Sequence, residues 1–213
     1  MPPETTDESL MNQYKCPTGL QGKEVAAMMN RRHLALTTWG LKHVRIEPDF
    51  VILDVGCGGG KTISRLARRA FQGKVYGIDC SADMVNYSSE FNRKLIAENR
   101  VKVVHGSVEK MLFKDQFFDL VTAIETYYFW PDITEAFREM MRVLKVGGHL
   151  LIISEMIKDG MYEEENAETI AKTSVRLLPL QEIQSALQSV GFVNVIIFTK
   201  SKLHWSSILA KKE

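Results

Sequence analysis

Val51-Ile52-Leu53-Asp54-Val55-Gly56-Cys57-Gly58-Gly59-Gly60 is the stretch whose reading decides the fold. A short apolar run ends in an acid, and the chain then turns through glycines into a segment of helical periodicity. An α/β protein presents bare backbone to a small ligand in this way, at the end of a buried strand. The same glycines also read as a tight strand-to-helix turn that binds nothing.

The spacing narrows the ligand. Gly56, Gly58 and Gly60 form G-x-G-x-G, whereas the dinucleotide fingerprint G-x-G-x-x-G needs its third glycine at position 61, which is Lys61. Gly60-Lys61-Thr62 supplies the ending of a phosphate-cradling P-loop, but Val55 stands where its first glycine belongs. Asp54 argues further against a pyrophosphate, because a carboxylate at the mouth of a phosphate cradle repels the ligand and suits a cationic one.

A second acid follows at the expected interval. Lys74-Val75-Tyr76-Gly77-Ile78 reads as the next strand and Asp79 ends it, roughly twenty residues after Gly60. A carboxylate in that register accepts hydrogen bonds from both ribose hydroxyls. The competing reading makes Asp79 a cap of the next helix, a role for which Ser81 competes.

These residues resemble the class I S-adenosylmethionine (SAM)-dependent methyltransferases of the small-molecule type. Asp54-x-Gly56-x-Gly58-x-Gly60 is similar to their first motif, and Gly77-Ile78-Asp79-Cys80-Ser81-Ala82-Asp83-Met84 to their second. His105-Gly106-Ser107-Val108-Glu109-Lys110-Met111 resembles the adenine-binding turn. Phe117-Phe118-Asp119-Leu120-Val121-Thr122 resembles the fourth strand, and Val143 to Leu150 the approach to the fifth. The resemblance covers about residues 20 to 200. It implies SAM as cofactor, with Asp54 and the backbone at Gly56 and Gly58 toward its amino acid end and Asp79 on its ribose. It also implies Cys80 and Met84 on the adenine faces, the Val108 N–H on an adenine ring nitrogen, and an Ile124 carbonyl near the methionine portion. Ser107 stands where the family often has Asp.

Outward from the loop, strand and helix alternate. Strands are expected at 51–55, 74–78, 101–105, 118–123 and 148–154, and helices at 60–71, 82–98, 131–145 and 179–190. Ile63, Leu66, Ala67 and Ala70 share one helical face; Met84, Tyr87, Phe91 and Leu95 another; Ile133, Phe137, Met140 and Leu144 a third. Pro131 suits a first helical turn. Two β-rich segments, 192–199 and 203–210, close the chain around Lys200-Ser201-Lys202, short enough for a hairpin. The expected fold is a Rossmann-like, doubly wound, seven-stranded sheet, mostly parallel with one antiparallel hairpin strand and helices on both faces. Residues 1–45 are expected as a helical cover segment broken near Gly40, and residues 46–213 as the methyltransferase domain of a single globular unit.

The acceptor side is carried by fewer signals. Glu125-Thr126-Tyr127-Tyr128-Phe129-Trp130 places an acid and four aromatic rings after the fourth strand. Tyr127 and Trp130 are candidates for a substrate wall, as are Tyr14 and Trp39 of the amino-terminal segment. His33, Glu125 and Tyr127 are the candidates for a proton-accepting group. The motifs of exocyclic-amine and cytosine-ring methyltransferases are absent, which leaves a small organic acceptor. Two alternatives stay open: a SAM-binding partner protein without catalysis and, against Lys61, a nicotinamide-dependent oxidoreductase.

Bulk properties exclude other classes. A formal net charge of +1 over 213 residues gives no case for a nucleic-acid partner. Arg31-Arg32 and Arg68-Arg69 read as solvated basic pairs, and oligomeric state stays open. No apolar run approaches a membrane span and no signal peptide is visible. Three cysteines, at 16, 57 and 80, form no metal or disulfide pattern and suit a reducing cytoplasm; no bound metal is expected.

Overall fold

The computed structural model describes residues 13–167, 170–171 and 175–213. Its centre is a buried apolar strand, β1 (Val51–Val55). Parallel strands covered on both faces read as continuous apolar runs, and β1 is such a strand. It leads through the glycine turn to α3 (Lys61–Arg69), preceded in the chain by α1 (Gly19–Arg32) and α2 (Leu34–Gly40). Then come β2 (Lys74–Asp79), α4 (Ala82–Phe91), α5 (Arg93–Ala97), β3 (Val101–His105) and β4 (Phe118–Ile124). The chain continues through α6 (Ile133–Val143), β5 (Leu144–Ser154), α7 (Met161–Glu165), α8 (Leu180–Ser189), β6 (Phe192–Lys200) and β7 (Trp205–Lys212).

The sheet order is β3-β2-β1-β4-β5-β7-β6, with β7 antiparallel between β5 and β6. This is the expected Rossmann-like topology. Strand order reverses between β1 and β4, so the ends of those strands form the crevice where such folds take ligands. Alternate side chains face opposite ways. Leu53, Val121 and Ile152 join Phe137, Met140 and Ile183 in one core. Ile52, Leu120 and Leu151 join Leu36, Ile63 and Leu66 in the other. Each large side chain so buried contributes about 1.5–3 kcal/mol.

Several details differ from the sequence expectation. The break in the amino-terminal helices falls at His33, while Gly40 packs so close to Ile153 that a Cβ would lie 2.4 Å from its Cδ1. The expected helix 82–98 is two helices meeting at Asn92, whose Nδ2 donates to the Gly60 carbonyl at 3.0 Å. The buried face of α4 runs through Met84 and Ser88 to Asn92, and Phe91 is exposed with the Lys61 ammonium 5.5 Å from its ring centre. Helix α6 begins at Ile133 because the Asp132 carboxylate accepts the N–H groups of Thr134 and Glu135; Pro131 lies just before that cap. Leu144 then starts β5, paired with Phe118 ahead of a bulge.

Among the described residues, no helix is long and apolar enough to cross a membrane.

Candidate functional site

The turn after β1 is held by its neighbours. Gly60 has φ +74°, and a Cβ there would lie 2.3 Å from the Ser88 hydroxyl and 2.5 Å from the Asn92 amide. Only glycine takes that backbone without strain in that space. Gly56, at φ +66°, sits equally close to the Thr126 hydroxyl. The Asp79 carboxylate accepts the Gly58 N–H at 2.8 Å and the Ser81 N–H at 2.9 Å. Asp79 therefore ties the glycine loop to the start of α4, while Ser81 caps that helix by accepting from the Met84 N–H.

Two acids end up buried without a cation. Asp54 is 2 % exposed and Asp79 7 %, and neither has an ion-pair partner among the described residues. Burial pushes the Asp54 carboxyl up to about 7, against the hydrogen bond it accepts from the Thr122 hydroxyl at 2.7 Å; the nearby Asp79 raises it further. Burial also raises Asp79, opposed by its backbone N–H donors and by His105. Unpaired buried carboxylates fit a ligand that brings positive charge and hydroxyl donors, and repel a pyrophosphate.

Both acids face a cavity of about 280 Å³ at the ends of β1, β2 and β4. Its lining also holds Gly56, Gly58, Cys80, Met84, Ser107, Val108 and Ile124, so the cofactor residues expected from the sequence lie around one space. Tyr14, His33, Glu125 and Trp130 line it too. The Ser107 hydroxyl accepts the Glu109 N–H at 3.2 Å, and Cys80 Sγ lies 3.5 Å from Cys16 Sγ. Helix α1 meets the loop directly, where Asn30 Nδ2 donates to the Gly59 carbonyl at 3.2 Å.

Two candidates lie elsewhere. Tyr127 is 3 % exposed in the core, and its hydroxyl donates to the Met156 carbonyl at 3.4 Å. It is not in the cavity wall, because the short 3₁₀ turn Tyr127–Phe129 rotates it inward. Trp39 points away from the cavity and packs with His43 and Trp205, ring centres 4.7 and 5.9 Å away.

The structure adds one residue that the sequence reading missed. Glu155, just after β5, stands beside His33 and Glu125. His33 Nε2 is 3.8 Å from Glu125 Oε2 and 3.7 Å from Glu155 Oε1, and Arg32 bonds the same Glu155 oxygen at 2.7 Å. The Arg31-Arg32 pair is thus not solely a solvated face. Glu125 has φ +56°, and its carboxylate accepts the Tyr128 hydroxyl at 3.0 Å and the Glu155 N–H. Burial raises its pKa above the usual carboxylate range, opposed by His33. Burial acts upward on Glu155 as well, but His33 and Arg32 outweigh it and hold that carboxyl low. The only available signal was Glu155's place one residue past a strand end.

A doubly wound sheet of this order, with a G-x-G-x-G turn and an acid closing the second strand, is the architecture of the class I SAM-dependent methyltransferases. Residues 53–152 match the family described as "Methyltransferase domain", so that segment carries such a domain. It is 34% identical over 151 residues to a sterol 24-C-methyltransferase of Eremothecium gossypii, covering 67% of this chain and 40% of that protein. It is 26% identical over 157 residues to sterol 4-C-methyltransferase strm-1 of Caenorhabditis elegans, covering 74% of this chain and 45% of the relative. The chain thus spans less than half the length of these two relatives. A solved SAM-dependent methyltransferase from Aquifex aeolicus superposes with a TM-score of 0.68 at 21% identity, covering 97% of this chain and 98% of that one.

Proposed function

We propose that this chain transfers a methyl group from SAM to a small organic acceptor bound at the His33–Glu125 end of the cavity. The observation that carries the reading is the shared space: the glycine loop and two unpaired buried acids line one part of its wall, and His33, Glu125 and Trp130 line another. The relatives named for sterol substrates favour an organic molecule over a macromolecule. Asp54, buried at the glycine turn without a counter-cation, counts against the pyrophosphate that the nicotinamide reading requires.

When bound, SAM supplies an electrophilic methyl on a sulfonium that is already a good leaving group. The chain's own work is to hold, orient and exclude water. Asp54 would complement the ammonium of SAM and Asp79 its ribose hydroxyls, while Cys80 and Met84 would flank the adenine. The Val108 N–H and Ser107 would read the adenine edge, and the Ile124 carbonyl would lie toward the methionine portion. Residues 13–45 act as the cover, since α1 and the segment before it supply Tyr14, Asn30 and His33 to the cavity wall. Glu125 and His33 are the groups beside an acceptor that arrives protonated.

The test is transfer of tritiated methyl from SAM into small-molecule extracts. Labelled product of low molecular mass supports the proposal. No label in any extract, from protein that binds S-adenosylhomocysteine (SAH), would assign the chain to SAM binding without catalysis.

A further inference from the structure

We propose that His33, Glu125 and Glu155 form a binding site for a divalent transition-metal ion, of the Zn²⁺, Mn²⁺ or Co²⁺ kind, where His33 and Glu125 line the cavity and Glu155 stands just outside its lining. This inference is independent of methyl transfer.

Three observations carry it. The first is convergence. His33 caps the C-terminal end of α1, Glu125 follows β4 and Glu155 follows β5, so three remote segments deliver one nitrogen and two oxygens whose ligand atoms all lie within 4.8 Å of one another. The second is spacing. The imidazole nitrogen stands 3.8 and 3.7 Å from the two carboxylate oxygens, too far for direct hydrogen bonds. Donor atoms that all lie within 4.8 Å of one another are close enough to share one ion with bonds of about 2.0–2.2 Å after small side-chain shifts. The third is charge. The Glu125 side chain is 5 % exposed and Glu155 16 %, and Arg32 reaches only Glu155. No lysine or arginine pairs with the Glu125 carboxylate among the described residues.

The donor set selects the kind of ion. One imidazole with two carboxylates suits Zn²⁺, Mn²⁺ or Co²⁺, whereas Mg²⁺ and Ca²⁺ take oxygen donors. Three protein ligands leave further coordination positions for water or a donor atom of the acceptor. The outer contacts are those that orient metal ligands: Tyr128 OH and the Glu155 N–H hold Glu125, and Arg32 holds Glu155. His204, bonded to Asp159 at 3.2 Å, does not share this arrangement, because Glu165 lies toward its other ring nitrogen at 3.6 Å.

The experiment uses the full chain stripped with a chelator, then titrated with ZnCl₂, MnCl₂ or CoCl₂ by calorimetry at pH 7.5, with visible absorption followed for Co²⁺. One equivalent should bind, with a Kd below about 10 µM for Zn²⁺, and Co²⁺ should show a ligand-field band. His33→Ala and Glu155→Gln should each weaken binding by at least about tenfold, and His204→Ala should not. Circular dichroism and SAH affinity report whether each variant is folded. Three results would overturn the proposal: no binding of any of the three ions to the wild type, undiminished binding in folded His33→Ala and Glu155→Gln, or loss only in His204→Ala. SAH binding by metal-free protein is a separate measurement, so failure here leaves the methyl-transfer reading standing.

Discussion

The glycine-loop end and the His33–Glu125 end of one cavity, the proposed cofactor and acceptor sides, are built by opposite means. On the cofactor side, a single run from Val51 to Gly60 and one acid at the end of the next strand carry most of the geometry. On the acceptor side, His33 and Glu125 line the wall with Glu155 beside them, and the three come from a helix end and two strand ends, separated by 92 and 30 positions. The first is held by backbone: Gly58 and Ser81 N–H groups on Asp79, and glycines where a Cβ has no room. The second is held by side chains on side chains. Local sequence can write the first kind of site, while only tertiary folding brings the second together.

The largest expected effect tests the rigidity of the cofactor side. Gly60→Val puts a branched side chain at φ +74° against Ser88 and Asn92. It should cost about 2–4 kcal/mol of stability, measured by urea unfolding. A cost under about 1 kcal/mol would mean that the loop relaxes easily.

Next comes the ligand itself. Asp79→Asn keeps an acceptor oxygen for the backbone but loses the charge, and should weaken SAH by about 1–3 kcal/mol in calorimetry. Unchanged affinity would remove Asp79 from the site. By contrast, Glu155→Gln should leave SAH affinity within about threefold, because distant sites behave independently. A large loss would show the two sides to be one energetic unit.

The smallest effect is a proton. Burial pushes the Asp54 carboxyl up to about 7 without ligand, so part of the population carries its proton near neutral pH. A cation beside it favours the charged form. SAH binding should then release a fraction of a proton near neutral pH, and less as pH rises above the folded pKa. Calorimetry in buffers of different ionisation enthalpy measures this directly. No buffer dependence would place the ligand ammonium away from Asp54.

The same contrast explains what the sequence made legible. Strand–helix alternation, the apolar stripes of α3 and α6 and the closing hairpin were readable because periodicity is local. The face of α4 was misread because Ser88 and Asn92, polar residues supporting the Gly60 turn, occupy the buried positions where apolar ones were sought. Tyr127, just past a strand end, and Trp39, on α2, pack away from the cavity wall, because an aromatic ring serves equally as core or wall and only packing decides between them. Glu155 carried no motif at all. Its role beside His33 depends on β4 and β5 being neighbours, with Ala123 opposite Ile152 and Ile124 opposite Ile153.

The most direct test is calorimetry of the full chain with SAH, SAM and NAD in parallel. SAH and SAM should each bind with one-to-one stoichiometry, and NAD should give no saturable heat. Saturable binding of NAD with neither methionine-derived ligand bound would contradict the reading of the glycine loop from Val51 to Gly60.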